Sequence, residues 1–193
     1  YVTLAGYEYA KVIRISKTVA TMAIDAFETW LVDMLAEDIA RAIENAIING
    51  TDSNEPRGIE KANTWADTTN AILVNTGSSE VLDFAAIMDL ISLLPNGYMS
   101  NAKFLCNSKM FYGSLVKVRD ADGMPIYVRD MEAGVGFRLM GFPVILSDYV
   151  ADNTIYFGDF TKVIGNLSQD ISVESSTQSG FLYNAIDFRG TAI

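Results

Sequence analysis

ENAIINGTDSNEPRGI, Glu44 to Ile59, holds the clearest structural signal in the chain. A helical pattern runs into Asn49-Gly50, the chain turns through Thr51-Asp52-Ser53-Asn54, and Pro56, Gly58 and Ile59 lead it out. Glycine just past a helix is the usual left-handed terminator, so Gly50 is expected to stop the helix in that conformation. The stretch contains no His, no Cys and no nucleophile beside a base. Its content is geometric rather than chemical.

Back from Asn49, apolar residues fall at spacings of three and four: Ile24, Phe27, Leu31, Met34, Leu35, Ile39, Ala42, Ala46 and Ile47. Asp25, Glu28, Asp33, Glu37, Arg41 and Glu44 lie largely between them, with acids in the first turns where the helix dipole favours them. This predicts one amphipathic helix over about 23 to 49, roughly 35–40 Å long. Residues 2–15 alternate imperfectly and are rich in Tyr, Val and Ile, which predicts an extended segment with one packed face.

Downstream, AILVN (71–75) is expected to be a short strand, and TGSSEVLDFAAIMDLISLLP (76–95) a second helix. Ser78 or Ser79 would cap that helix, and Val81, Phe84, Ile87, Met88, Ile91 and Leu94 would form its buried face. AKFLCN reads as a buried strand and SKMFYGSLVKV as a third helix capped by Ser108. RDADGMPIYV is a turn into an extended piece, and FRLMGFPVILSD and NTIYFGDF read as strands. KVIGNLSQDISVES and FLYNAIDF come after them, with the polar loop SSTQSG, Ser175 to Gly180, between. Helices and strands mix without regular alternation, so the fold class is α+β.

Half of the 193 residues are hydrophobic, enough to build a core. The lone Cys106, in an apolar run, rules out an internal disulfide and reads as a small buried hydrophobe. With no histidine, neither a Ser-His-Asp triad nor a His-bearing zinc site can be built. Fourteen basic and twenty-four acidic residues give a net charge of −10, spread over both halves, which argues against direct nucleic-acid binding. No apolar run approaches the ~20 residues of a membrane span, and no signal peptide is visible. The chain opens on Tyr1 in a pattern that is already strand-like, and so reads as an excerpt from a longer protein.

Candidate chemical motifs are thin. Asp120, Asp122 and Gly123 resemble the start of a calcium loop, but Met124 and Pro125 come next, and Met131 stands where a bidentate Glu is needed. Gly134, Gly136 and Gly141 are wrongly spaced for a phosphate loop. Glu37 with Asp38, or Asp130 with Glu132, could do acid–base work, but solvated surface is the default for such neighbours. No catalytic, cofactor-binding or metal-binding residue is assigned, and no cofactor is expected. An enzyme with a carboxylate-based site is the rival from another class.

With these elements in order, the chain resembles the major capsid proteins of tailed double-stranded-DNA phages, the Hong Kong 97-type fold. The likeness rests on five passages in sequence. They are IRISKTVATMAIDAFETWLVDMLAEDIARAIENAIING with its turn TDSNEPRGI, then LISLLPNGYMSNAKFLCNSKMFYGSLVKV, RDADGMPIY, LMGFPVILSD and IYFGDF. Asp52-Ser53 departs from the second glycine common in that turn. The resemblance implies a remnant of an extended hairpin strand at 1–15, a discontinuous peripheral domain at 16–64 and 164–193, and an axial domain at 65–163. The hairpin tip and the N-terminal arm of the family are not in this sequence.

What the resemblance further implies is a structural subunit of an icosahedral phage or prophage head that self-assembles around packaged DNA. It would not be an enzyme. It would form hexamers and pentamers with itself, with portal, scaffolding or protease, and decoration proteins as further partners. Its place would be the virion, and the host cytoplasm during assembly. An encapsulin-like compartment shell is the alternative. Some members of the family join a hairpin Lys to a peripheral-domain Asn with a Glu nearby. Asn184 and Asp187 lie in roughly that region, but Asp replaces Glu, and the site is not carried over.

Overall fold

The computed structural model describes residues 6–18, 25–74, 82–119, 122–129, 137–165 and 168–193, with 25–28 and 127–129 described by their backbone alone. The chain divides into two compact units, Tyr1–Ala62 with Gly165–Ile193, and Asn63–Ile164.

In the first unit, strand β1 (Tyr9–Ser16) is followed by helix α1 (Asp25–Asn49) and a single-turn helix α2 (Ile59–Ala62). Strands β7 (Ser172–Ser176) and β8 (Ala185–Ala192) complete an antiparallel sheet in the order β1-β8-β7. The register pairs Ile13 with Phe188, Ile15 with Ile186, and Lys11 with Gly190. Because side chains alternate across a strand, these residues share one face. That face meets α1: Leu31, Leu35 and Phe188 are buried together, with Ile13, Ile15, Met34, Val173 and Ile186 packed around them. Gly190 lies under Leu35 and Ile39, where a Cβ would come within 2.8 Å of the Ile39 side chain. Burying Leu31 and Leu35 contributes about 1.5–3 kcal/mol each.

The long helix has the expected C-terminal boundary; its first predicted residues lie outside those described. Two features of the expectation need correction. Ala42 is exposed and Ile47 is 43% exposed, while Ile48 is buried. The spacing rule assumes one covering surface, whereas the last turn of α1 is also met by the chain returning at Gly58, beside the Ile48 carbonyl. The second correction is Gly50, which is not left-handed. The positive φ in this turn belongs to Asp52, at 67°. Gly50 is needed for space instead: a Cβ there would sit 1.9 Å from the Pro56 carbonyl oxygen and 2.5 Å from that of Ala46. Gly58 N–H donates to the Gly50 carbonyl at 2.9 Å, and Thr51 bridges to Arg57. The Glu55 carboxylate accepts from the Thr51 N–H and hydroxyl, closing the loop.

The second unit contains helix α3 (Phe84–Ser92), strand β2 (Lys103–Cys106), helix α4 (Ser108–Gly113) and strands β3 (Tyr127–Arg129), β4 (Phe137–Leu139), β5 (Phe142–Leu146) and β6 (Ile155–Gly158). The sheet order is β3-β4-β5-β2-β6, with β2 parallel to β5 and antiparallel to β6. Met140 (φ 52°) and Gly141 (φ 86°) make the tight turn joining β4 to β5. One sheet face and the helices enclose Ile87, Phe104, Cys106, Met110, Phe111, Leu115, Val118, Ile126, Leu139 and Val144. Phe104 and Phe157 approach to 4.4 Å between ring centroids, and Phe111 and Phe137 to 4.6 Å.

Several local expectations fail here. AILVN is not a strand: Ala71 makes an isolated bridge to Asp67, 72–74 continue without regular structure, and Asn75 lies outside the described residues. Helix α3 is capped by Asp83, which accepts from the Ala86 N–H at 2.8 Å; Ser78, Ser79 and Val81 lie outside the described residues. Met88 is exposed, and Leu90 packs against the core instead. Helix α4 is capped by Asn107 rather than Ser108, and it gives way to a 3-10 turn at Leu115–Lys117. Asn107 wins because its buried side chain both accepts from the Met110 N–H and donates to the Val150 carbonyl and Asp152, satisfying a polar group that burial would otherwise leave costly. In the first unit, Phe181–Tyr183 form a 3-10 turn and β8 begins at Ala185.

Candidate functional site

The face of the β1-β8-β7 sheet opposite α1 carries the most organised polar chemistry among the described residues. Its rows are set by the register: Ala10, Thr191 and Ser172; Val12, Arg189 and Glu174; Arg14, Asp187 and Ser176. The Ser172 and Thr191 hydroxyls are 3.0 Å apart, and Arg189 reaches Glu174 at 3.0 Å. Arg14 grips Asp187 with two parallel bonds, Nε at 2.7 Å and Nη2 at 3.0 Å. Such a fork fixes geometry as well as charge. The Arg14 bonds, with help from Ser179, hold the Asp187 carboxyl down at about 2, and the same pairing raises the Arg14 guanidinium. Arg14 also stands over the Tyr183 ring, 5.0 Å from its centroid.

Tyr183 belongs to a protruding tip between β7 and β8. Phe181, Leu182 and Tyr183 are 81%, 89% and 70% exposed. The tip closes on backbone bonds from Tyr183 and Ala185 N–H to the Gly180 carbonyl, and from Lys17 N–H to that of Asn184. Asn184 takes the left-handed conformation (φ 50°) that turns the chain into β8. Gly180 is required, since a Cβ would meet the Ala185 carbonyl oxygen at 2.4 Å.

Among the described residues, the acids singled out in the sequence do not converge. Glu37 pairs with Arg41 one turn along α1, at 2.5 Å, whereas Asp38 pairs with Lys11 of β1. Asp122 is exposed, and Asp120, Asp130, Glu132, Gly134 and Gly136 lie outside the described residues. Gly141 serves the β4–β5 turn. Cys106 is fully buried, and burial pushes its thiol up to about 11, which makes it unreactive at neutral pH. Asp152 is lowered by hydrogen bonds from Lys109 and Asn107, as a surface ion pair beside the α4 cap. A shallow recess of about 270 Å³ lies between β1 and α1, lined by Tyr9, Ala10, Lys11, Asp38, Ile39 and Ala42. That is below the usual size of a small-molecule site. Desolvation, with Glu55 and Tyr7, raises the Tyr9 hydroxyl, whose oxygen is buried without a hydrogen-bond partner. Among the described residues no cluster of His, Cys, Asp or Glu could hold a metal ion, and no helix is long and apolar enough to cross a membrane.

Comparison with known proteins matches residues 1–193, the whole chain, to the model of the phage capsid family. The chain belongs to that family. It is 31% identical over 163 residues to the probable major capsid protein gp17 of Mycobacterium phage L5, covering 76% of this chain and 48% of the relative. The chain thus spans about half the length of that curated relative. Among solved structures, the capsid of an empty GTA particle matches with a TM-score of 0.70 at 26% identity, over 96% of this chain and 67% of the other. A chain from Mycobacterium phage Adephagia matches with a TM-score of 0.64 at 20% identity, over 96% of this chain and 63% of the other, a likeness of fold. The mixed α+β fold is that of phage capsid chains, which the Hong Kong 97-type name fits. Membership marks this as a structural protein.

The tip and the Arg14–Asp187 fork had faint sequence signals. FLY follows a polar loop, and three apolar residues in a row do not reveal that they point to solvent. Arg14 and Asp187 are 173 positions apart, so only the β1–β8 register brings them together.

Proposed function

We propose that the chain is the major structural subunit of a phage or prophage head, which self-assembles into an icosahedral shell around packaged DNA. What carries the reading is the family match over every residue of the chain, backed by the GTA capsid likeness over 96% of it. The two units correspond in this reading to a peripheral domain (16–64 with 164–193) and an axial domain (65–163), a division that the contact-defined units Tyr1–Ala62 with Gly165–Ile193 and Asn63–Ile164 support. The 1–15 segment is in this reading the remnant of an extended hairpin strand, whose described part includes the start of β1 paired to β8. The protein works by geometry: a 25-residue helix seated on a sheet makes a stiff unit, and the acids near its recess are committed to ion pairs rather than to catalysis. It is not an enzyme and needs no cofactor.

The partners are other copies of the chain, in hexamers and pentamers, with portal, scaffolding or protease, and decoration proteins joining them. The net charge of −10 disfavours direct contact with DNA phosphates. The subunit resides in the virion after assembly in the host cytoplasm. The test is to express the full-length gene with its neighbours and track the product by sedimentation and negative-stain imaging. Uniform particles tens of nanometres across are expected. A product that stays monomeric or dimeric with every neighbouring gene supplied would overturn the reading.

A further inference from the structure

We propose that the Phe181–Leu182–Tyr183 tip is a preformed self-association knob that seats on a second copy of this chain, an inference that rests on the shell reading and names a contact for it. Exposure is the first observation. An aromatic side chain presents about 150–250 Å². At 81%, 89% and 70% exposure the three residues together display roughly 400 Å² of largely apolar surface. That is comparable to the largest patch on an ordinary monomer, and such patches are commonly functional.

The second observation is that the tip is held out rather than left loose. Gly180 permits the close approach to Ala185, Asn184 supplies the left-handed residue, and Lys17 N–H ties the far side to β1. Arg14, itself fixed by Asp187, stands over the Tyr183 ring. Folding has already ordered these groups, so association loses little further entropy there. Phe, Tyr and an adjacent Arg are also residue types that weigh heavily in the binding energy of protein contacts.

The third observation selects the partner. The chain carries −10, yet Ser175 to Ile186 holds no charged residue, and the Arg14 at the base of the tip is met by Asp187. On an acidic molecule, an apolar knob with no acid of its own is the place where like-charge repulsion between two copies is least, which favours a second copy as its occupant. A standard contact needs about 800 Å² from each partner. The tip supplies roughly half of one side of that, the share expected of an anchoring element within a larger contact.

The test uses the full-length protein with p-benzoylphenylalanine in place of Leu182, in an equal mixture of ¹⁵N-labelled and unlabelled chains. After irradiation, peptide mass spectrometry is expected to show the tip joined to one region of the opposite isotopic form. Links confined to the same chain, or made only to a different protein, overturn the proposal. In parallel, the double variant Phe181→Ser with Leu182→Asp is expected to melt within about 2 °C of wild type, since both side chains face solvent, and to lose at least tenfold in particle yield. A folded variant that assembles like wild type overturns the knob and leaves the shell reading intact. A wild type that gives no particles brings down the shell reading, and the isotope-mixed cross-link then decides the knob on its own.

Discussion

Replacing Gly50 with alanine probes the turn that ends α1. A Cβ at this position would lie 1.9 Å from the Pro56 carbonyl oxygen and 2.5 Å from the Ala46 carbonyl oxygen. Both obstacles are backbone, so no side-chain rotation relieves them. Either the last turn of α1 opens, weakening the 2.9 Å bond from Gly50 N–H to Ala46, or the Pro56–Gly58 return moves away and loses the 2.9 Å bond from Gly58 N–H to Gly50. Overpacking of this kind costs about 1–3 kcal/mol, and the absence of any rotatable neighbour places it at the upper end. Alanine also narrows the unfolded ensemble, which offsets about 0.4–1 kcal/mol. The net is a destabilisation of about 2 kcal/mol, or a fall in Tm of roughly 4–8 °C for a chain of this size. Urea unfolding monitored by circular dichroism measures it. Gly113→Ala is the matched control: it sits at the end of α4 with nothing within 4 Å of an added Cβ, so the same substitution is expected to be neutral or to stabilise by up to about 1 kcal/mol. A Gly50→Ala protein that unfolds with wild type, or a Gly113→Ala protein that loses as much, would contradict the steric role given to Gly50.

Three further outcomes are expected. Leu31→Asp places an unpaired carboxylate where Leu31 is 1% exposed against Leu35 and Phe188, and should lower stability by several kcal/mol; near-unchanged melting would rule out the assigned face of α1. Asp187 has its folded pKa at about 2, below its unfolded value near 3.9, so its pairing with Arg14 stabilises the fold above about pH 4 and is lost as pH falls toward about 2. Asp187→Asn should flatten that part of the stability–pH curve in urea titrations, and an unaltered slope would count against the pairing. No covalent cross-link should form through Asn184, because the nearby Asp187 carboxyl is held at about 2 and is a poor proton acceptor near neutral pH; a ladder of denaturant-resistant multimers on a gel, absent in Asn184→Ala, would show otherwise.

Elements with local signals were legible in the residues alone. The long helix ending at Asn49, the buried Cys106 strand and the α+β class all belong here, because periodicity of three and four or an apolar run is written in neighbouring residues. The resemblance in the order of five passages reached the capsid family by the same route. Whatever depends on residues distant in the chain had to wait for the packed molecule. Gly50 is needed because Pro56 and Gly58 return against it, not because its own φ is positive. Ile48 is buried and Ile47 exposed because the loop returning at Gly58 covers the last turn of α1. Asn107 displaces Ser108 as a cap because Val150 and Asp152 satisfy its other side. Phe181–Tyr183 stay exposed at the tip that joins β7 to β8, and only the β1–β8 register sets Arg14 beside Asp187. An apolar side chain gains by burial only where another surface arrives to cover it, and which surfaces arrive is fixed by the packing of elements, not by the residues on either side.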